Sequence, residues 1–363
     1  MTAVFDRTAP DAGDGIGRTI SRRARTELDE TRPRPLLERP VLKSTIVLAW
    51  MYGAIGLLLL AHLPPAGAAL AAVALGLAMA CCLLTVGHEA MHHPLLRSVR
   101  LDRAMVAVLV APMGISPAWW RAKHNITHHG GPARGGRVGE GPVNLGALAR
   151  LAPGQPWHRW HRLQHVYVPV LLFPLHKVGM IAGAGAFCVT GRASGHQVAP
   201  RTVRTAAVRL VVWGLPLATV LGVAALRHGV LATAASALLV VAVSGTALSM
   251  VLAVEVAHRG LAHVEPDAGL DAWTRWHVDV SMSIDAPSWV AWFTGGLHQH
   301  TEHHLFPRAP MHRLVDLGPV VQAACAEHGV TYHRYASYPD SWRAFHRFLV
   351  AMGRPPSDPV DQG

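Results

Sequence analysis

Apolar residues in this chain gather in long runs, separated by stretches rich in His, Arg, Gly and Pro. Ser44 to His62 is apolar, Pro64-Pro65 breaks the run, and a second run extends from Ala66 to Val86. Two more, Ala206 to Leu226 and Val230 to Val256, follow in the second half. Each is long enough, at roughly 20 residues or more, to cross a hydrocarbon core as an α-helix. Leu101 to Ile115 is apolar but short, with Pro112 near its end, and is predicted as an interfacial or re-entrant helix. Val166 to Val189 is interrupted by Pro169, Pro174, His176 and Lys177, which predicts a membrane-associated rather than a spanning segment. The pattern thus predicts an all-α integral membrane protein with four transmembrane helices, about 44–62, 66–86, 206–226 and 230–256, plus interfacial helices. Residues 1–40 lack any sustained apolar period and are expected to form a disordered tail, as is 351–363, leaving one domain over 41–350. Gly13, Gly15 and Gly17 mimic a dinucleotide fingerprint, but no strand precedes them and no helix pattern follows.

Composition agrees with a life in lipid: 51% of the 363 residues are hydrophobic and 15% charged. The net charge of +11 invites a nucleic-acid reading. No nucleic-acid fold motif accompanies it, and positive-inside topology accounts for basic residues flanking apolar runs. With four spans, every segment dense in Lys and Arg falls on one side: the N-terminal tail, Arg97 to Arg204, and everything after Arg259. That side is the cytoplasmic one, at the plasma membrane if the cell is bacterial. Cys81, Cys82, Cys188 and Cys325 contain no C-x-x-C and form no framework, so they are read as small hydrophobes.

Three histidine clusters fall on that same side: His88-Glu-Ala-Met-His92-His93, His124-Asn-Ile-Thr-His128-His129 and His300-Thr-Glu-His303-His304. On a helix, residues three or four apart share a face, while an adjacent His points roughly 100° away and can serve a second metal ion. One tetrahedral zinc cannot use so many imidazoles. Two irons can. Nitrogen-rich ligation without thiolates suits iron at a site reached by O2.

These boxes resemble those of the membrane fatty acid desaturases. The resemblance extends through Trp119-Trp120-x-x-Lys123-His124-Asn125, Pro156-Trp157-x-x-Trp160-His161-Arg162-x-Gln164-His165, Gly295-Gly296-Leu297 to Phe306-Pro307, and Cys325 to His333. These stretches are similar to the acyl-lipid and front-end branch. The resemblance implies four spans and a cytosolic cap carrying a non-haem di-iron centre, with O2 as co-substrate. Carried over by position, the ligands are His88, His92, His124, His128, His129, His258, His300, His303 and His304. His93, Glu255, His298 and Glu302 are candidates for extra ligands or for groups that orient the ligands, and Gln164 and His165 for a structural or ligand-orienting role. The implied reaction inserts a double bond into a fatty acyl chain carried on lipid, CoA or a carrier protein. His-Pro-Gly-Gly does not occur and no flavin or nicotinamide motif is convincing, so a separate electron donor such as ferredoxin with its reductase is expected. The residues also leave open a hydroxylase or ketolase on the same scaffold, a metal-binding membrane transporter, and a zinc protease reading of His88-Glu-Ala-Met-His92.

Overall fold

The computed structural model describes residues 15–30, 32–92, 98–129, 146–151, 153–193, 196–200, 202–252 and 269–356. In chain order come α1 (Ile16–Asp29), α2 (Pro40–Leu60), α3 (Pro65–Leu84), α4 (Val86–His92), α5 (Val99–Val110) and α6 (Pro117–Ala122). Then follow α7 (Gln164–Tyr167), α8 (Phe173–Thr190), α9 (Val203–His228) and α10 (Val230–Leu252). The remaining helices are α11 (Gly269–Val280), α12 (Ser288–Thr294), α13 (His300–Leu305), α14 (Leu314–Glu327) and α15 (Tyr338–Met352). Strands are two residues long: β1 (Arg192–Ala193) pairs antiparallel with β2 (His196–Gln197), and β3 (Ser283–Ile284) pairs parallel with β4 (Arg334–Tyr335).

Helices α2, α3, α9 and α10 coincide with the four long apolar runs. Proline at the first position starts both α2 and α3, where its missing N–H costs no hydrogen bond. Two hairpins, α2–α3 and α9–α10, meet at their tips, where Arg227 and His228 reach the carbonyls of Leu60 and Leu59. Lipid gives apolar side chains no reason to prefer one another, so close backbone approach through small residues holds such bundles together. Gly245 of α10 lies against the carbonyls of Phe173 and Pro174, and Gly76 of α3 lies against Val243.

Among the described residues five helices, not four, are long and apolar enough to cross a membrane; the fifth is 159–190. The prolines that broke this segment in the sequence are absorbed by winding. Val168–Leu172 is a π-helical turn between α7 and α8, and its wider ladder accommodates Pro169 and Pro174 without a break. The segment packs against α9 and α10 as part of the bundle.

The N-terminal region departs from the expected disorder. Residues 16–29 are helical, and Ile16, Ile20 and Ala24 form a four-residue-spaced stripe buried against α11 and α14. Three apolar positions among many arginines were too sparse a stripe to read. Gly17 donates its N–H to Asp271 at 2.8 Å. Arg313 donates to the carbonyls of Glu27 and Glu30 at the other end of α1, at 2.7 and 3.1 Å, and pairs with Asp316. Residues 1–14 and 357–363 lie outside the described residues.

Candidate metal centre

Each histidine cluster sits on a short helical turn at one end of the bundle. α3 stops at Thr85, whose φ of −111° and ψ of −104° end the regular helix, and α4 restarts at once. α4 therefore carries His88 and His92 directly above the apolar α3, one turn apart, with ring centroids 5.0 Å from each other. Gly87 lets α4 lie flat on Trp120 and on the Cys82 carbonyl, where a Cβ would stand about 2.9 Å from both.

The second cluster follows α6, which Ser116 caps by accepting from the Trp119 N–H. From Lys123 to His128 the helix is π-wound, and the His129 N–H reaches back five residues to the His124 carbonyl at 3.0 Å. This winding stacks residue 129 over residue 124, where an α-helix would have turned it well aside. His124 and His129 consequently share a face, with ring centroids 4.6 Å apart. The sequence had paired His124 with His128. The side chain of His128 lies outside the described residues.

The third cluster is brought in by Gly295 and Gly296, both left-handed with φ of 65° and 85°. A Cβ on Gly295 would meet the Leu84 carbonyl at 2.6 Å, and one on Gly296 would meet the Met311 carbonyl at 2.6 Å. The turn thus presses α13 against the base of α4. On α13 the adjacent pair splits as helical geometry requires. His304 faces His300, with Nε2 atoms 2.7 Å apart, while His303 faces the clusters on α4 and the π turn.

The outcome is one cage of five imidazoles, His88, His92, His124, His129 and His303, whose ligand atoms all lie within 4.8 Å of one another. Nε2 of His124 is 2.8 Å from that of His92 and 3.1 Å from that of His129, which in turn is 3.1 Å from that of His303. A neutral Nε2 carries either one proton or one lone pair, so it cannot satisfy two such neighbours with ordinary hydrogen bonds. Inward lone pairs around a cation remove the conflict. Metal–nitrogen bonds of about 2.1 Å at right angles place donors about 3.0 Å apart, against about 3.4 Å in a tetrahedron. The 2.8–3.1 Å spacings between neighbouring rings are those of nitrogens that could share one cation. His300 and His304 begin a second cluster, which touches the first through the 4.9 Å His129–His304 ring contact. Burial, and then the neighbouring imidazoles, holds His303 well below its ordinary pKa, which keeps it in the neutral form a metal requires.

Glu302 lies between the ligand candidates on α13, wholly buried, yet it is spoken for. One carboxylate oxygen accepts from Ser283 Oγ at 2.6 Å and the other from the Tyr332 hydroxyl at 2.7 Å. Burial raises its pKa and the two hydroxyl donors oppose the rise. Glu302 therefore braces α13 against β3 and the segment after α14. Glu89, the acid of the protease-like pattern, pairs with Arg34 at 3.0 Å.

His298 is buried beside Asp285 and Arg334, and burial lowers its pKa to about 4. Among the described residues it makes no ring contact or hydrogen bond with a cage histidine. Gln164 and His165 make their contacts with other segments, in keeping with a structural role. Gln164 accepts from the Arg150 N–H and donates to the carbonyls of Arg150 and Leu349, fastening residues 146–151 to α15; His165 lies against His346. A buried amide satisfies the backbone as readily as it orients a ligand, and its sequence neighbourhood does not tell these roles apart. His93, Glu255 and His258 lie outside the described residues.

Two neighbours of the cluster, His277 and Ser283, were not singled out from the sequence. His277, wholly buried on α11, places its ring 5.7 Å from His304. Its Nδ1 faces the Trp273 carbonyl at 3.0 Å, so that nitrogen carries the proton and Nε2 the lone pair. Its isolation from the three boxes hid it. Ser283 carried no signal at all.

Comparison with known proteins agrees with this geometry. The family model described as fatty acid desaturase matches residues 62–336. The chain is 24% identical over 323 residues to the sn-1 linoleoyl-lipid 6-desaturase of Synechocystis sp., covering 86% of this chain and 88% of that protein. It is 23% identical to the enzyme of the same name from Arthrospira platensis, over 100% and 99% of the two chains. It is also 26% identical to the acyl-lipid (7-3)-desaturase of Rebecca salina, over 79% of this chain and 64% of that one.

Proposed function

Because the chain belongs to the fatty acid desaturase family, we propose that it is an O2-dependent acyl-lipid desaturase working through two histidine-held irons. Imidazoles from three distant boxes converging in one cage at the end of an apolar bundle are the observation that carries this reading. His88, His92, His124, His129 and His303 would hold one iron. His300 and His304, with His128 and His258, would hold the other. When bound, the irons supply the oxidising power, with O2 and two external electrons, that removing hydrogen from an unactivated CH2 demands. The protein's own residues fix where that power acts. Glu302, Ser283 and Tyr332 hold α13 in register. Burial of His88, His124, His300, His303 and His304 limits the access of water to the site.

Four crossings fit the geometry better than five. α8, α9 and α10 all lie between the second and third boxes, and an odd number of crossings there would put those boxes on opposite sides of the bilayer. Their meeting favours an even number, with 159–190 packed into the bundle without crossing. The basic segments then share the side of the cages, which positive-inside topology makes cytoplasmic. A lipid-borne acyl chain is the proposed substrate because the relatives named above act on acyl or linoleoyl lipids. A soluble carrier such as ferredoxin with its reductase is the proposed electron source, since an acidic partner suits the basic face.

Expression in a host of defined lipid composition, followed by mass spectrometry of its acyl chains, tests the reading. A new product lighter by two hydrogens supports desaturation. A product gaining one oxygen would assign hydroxylation instead, and no product with an electron donor supplied would count against both.

A further inference from the structure

Between the helices lies a partly open pocket of about 480 Å³, within the span of sites that hold small ligands. α2, α3, α8, α9 and α10 all contribute to its wall, which is mostly apolar. It reaches from Met79 and Lys177 at one end to Pro65 and His228 at the other. Along α3 that is 14 residues, about 21 Å at ~1.5 Å per residue. A hydrocarbon core of ~30 Å holds two leaflets, so such a length takes one extended acyl chain. None of the cage histidines lines it.

Lys177 is the one Lys or Arg among the described lining residues, and no Asp or Glu joins it. It is 1% exposed, and its Nζ has no hydrogen-bond partner among the described residues. Neighbouring polar groups are engaged elsewhere: Ser244 with the Val241 carbonyl at 3.2 Å, and His176 with Ser249 at 2.9 Å. Lysine near a helix end ordinarily snorkels to water, and this one does not. A buried ammonium at membrane depth is costly without a counter-charge and marks a functional position. Among the described lining residues none supplies a counter-charge, so an oxyanion brought by an occupant would pair this group.

We infer that this pocket binds a single-chain lipid with an oxyanion head, its head at Lys177 and its chain running toward His228. The site goes beyond the desaturase reading and does not depend on metal. A carboxylate and a monoacyl phosphate share the required chemistry, and the probes separate them.

The test uses the purified, full-length, metal-loaded protein in detergent. Native mass spectrometry would follow titration with palmitate, palmitoyl lysophosphatidate or methyl palmitate. At least one acid is expected to be retained at one per chain, at least tenfold more tightly than the uncharged ester. Lys177→Met should abolish that preference and Lys177→Arg should keep it. Palmitic acid with a terminal diazirine should label peptides containing His228 and Ala232. Equal retention of acid and ester by the wild-type protein would overturn the inference without recourse to any variant, and so would retention of neither. An undiminished acid preference in Lys177→Met, or labelling confined to other peptides, would also overturn it.

Discussion

Replacing Tyr332 by Phe removes one hydroxyl and little volume, and so isolates the brace behind α13. In the native protein that hydroxyl donates to Glu302 at 2.7 Å, while Ser283 serves the other oxygen at 2.6 Å. Glu302 is 0% exposed, so no bulk water replaces a lost donor. A hydrogen bond to a charged group contributes about 1.5–3 kcal/mol. With both carboxylate oxygens already accepting, the upper half of that range is expected for Tyr332→Phe. In a Glu302→Gln background the same change removes only a neutral bond, of about 0.5–1.5 kcal/mol. The double-mutant cycle should therefore show a coupling of about 1 kcal/mol or more between the two residues. Unfolding by SDS titration in mixed micelles measures all four corners, and iron content measured in parallel reports whether α13 keeps its register. Costs that simply add, to within about 0.5 kcal/mol, would refute the idea that Tyr332 acts through Glu302.

His124→Ala, His303→Ala and His304→Ala should each abolish product while the protein still inserts in the membrane; turnover retained in any of them would refute its place in a cage. Gly245→Ala pushes a Cβ into the Phe173 and Pro174 carbonyls, so it should cost about 1–3 kcal/mol and lower the melting temperature in detergent. An unchanged melting temperature would mean that α8 and α10 pack less closely than described. Asp271→Ala takes away the acceptor for the Gly17 N–H, so amide exchange across residues 16–29 should rise while the transmembrane helices keep their protection. Unaltered exchange there would show that α1 docks by its apolar stripe alone. His277→Gln should leave total iron unchanged but alter the Mössbauer parameters of one iron site, because its ring lies 5.7 Å from His304. Identical spectra would show that His277 is only packing.

What the sequence made legible was what linear spacing encodes. The apolar runs located α2, α3, α9 and α10 because length and composition alone decide whether a helix suits a bilayer. The three boxes announced themselves because i, i+4 spacing is a direct image of a helix face. The pairing of His124 with His129 was not legible, since it depends on a local π turn that linear spacing does not encode. Pro169 and Pro174 read as breaks for a similar reason: a local change of winding absorbs them. α1 was hidden by its arginines, which bond to distant partners such as the Arg23–Glu327 pair at 2.8 Å. Gln164 drew notice through its motif and His277 drew none, and only three-dimensional neighbours place the first against α15 and the second beside His304. Lys177 counted in the sequence as an interruption of an apolar run. Its meaning emerged only with the pocket around it.

Metal analysis joined to Mössbauer spectroscopy on the purified protein reaches the centre of the account. Two irons per chain are predicted, both in nitrogen-rich surroundings, with His303→Ala losing the site it shares with His88, His92, His124 and His129 and retaining the other. Zinc in place of iron, a single iron, or an iron content that His303→Ala leaves untouched would contradict it.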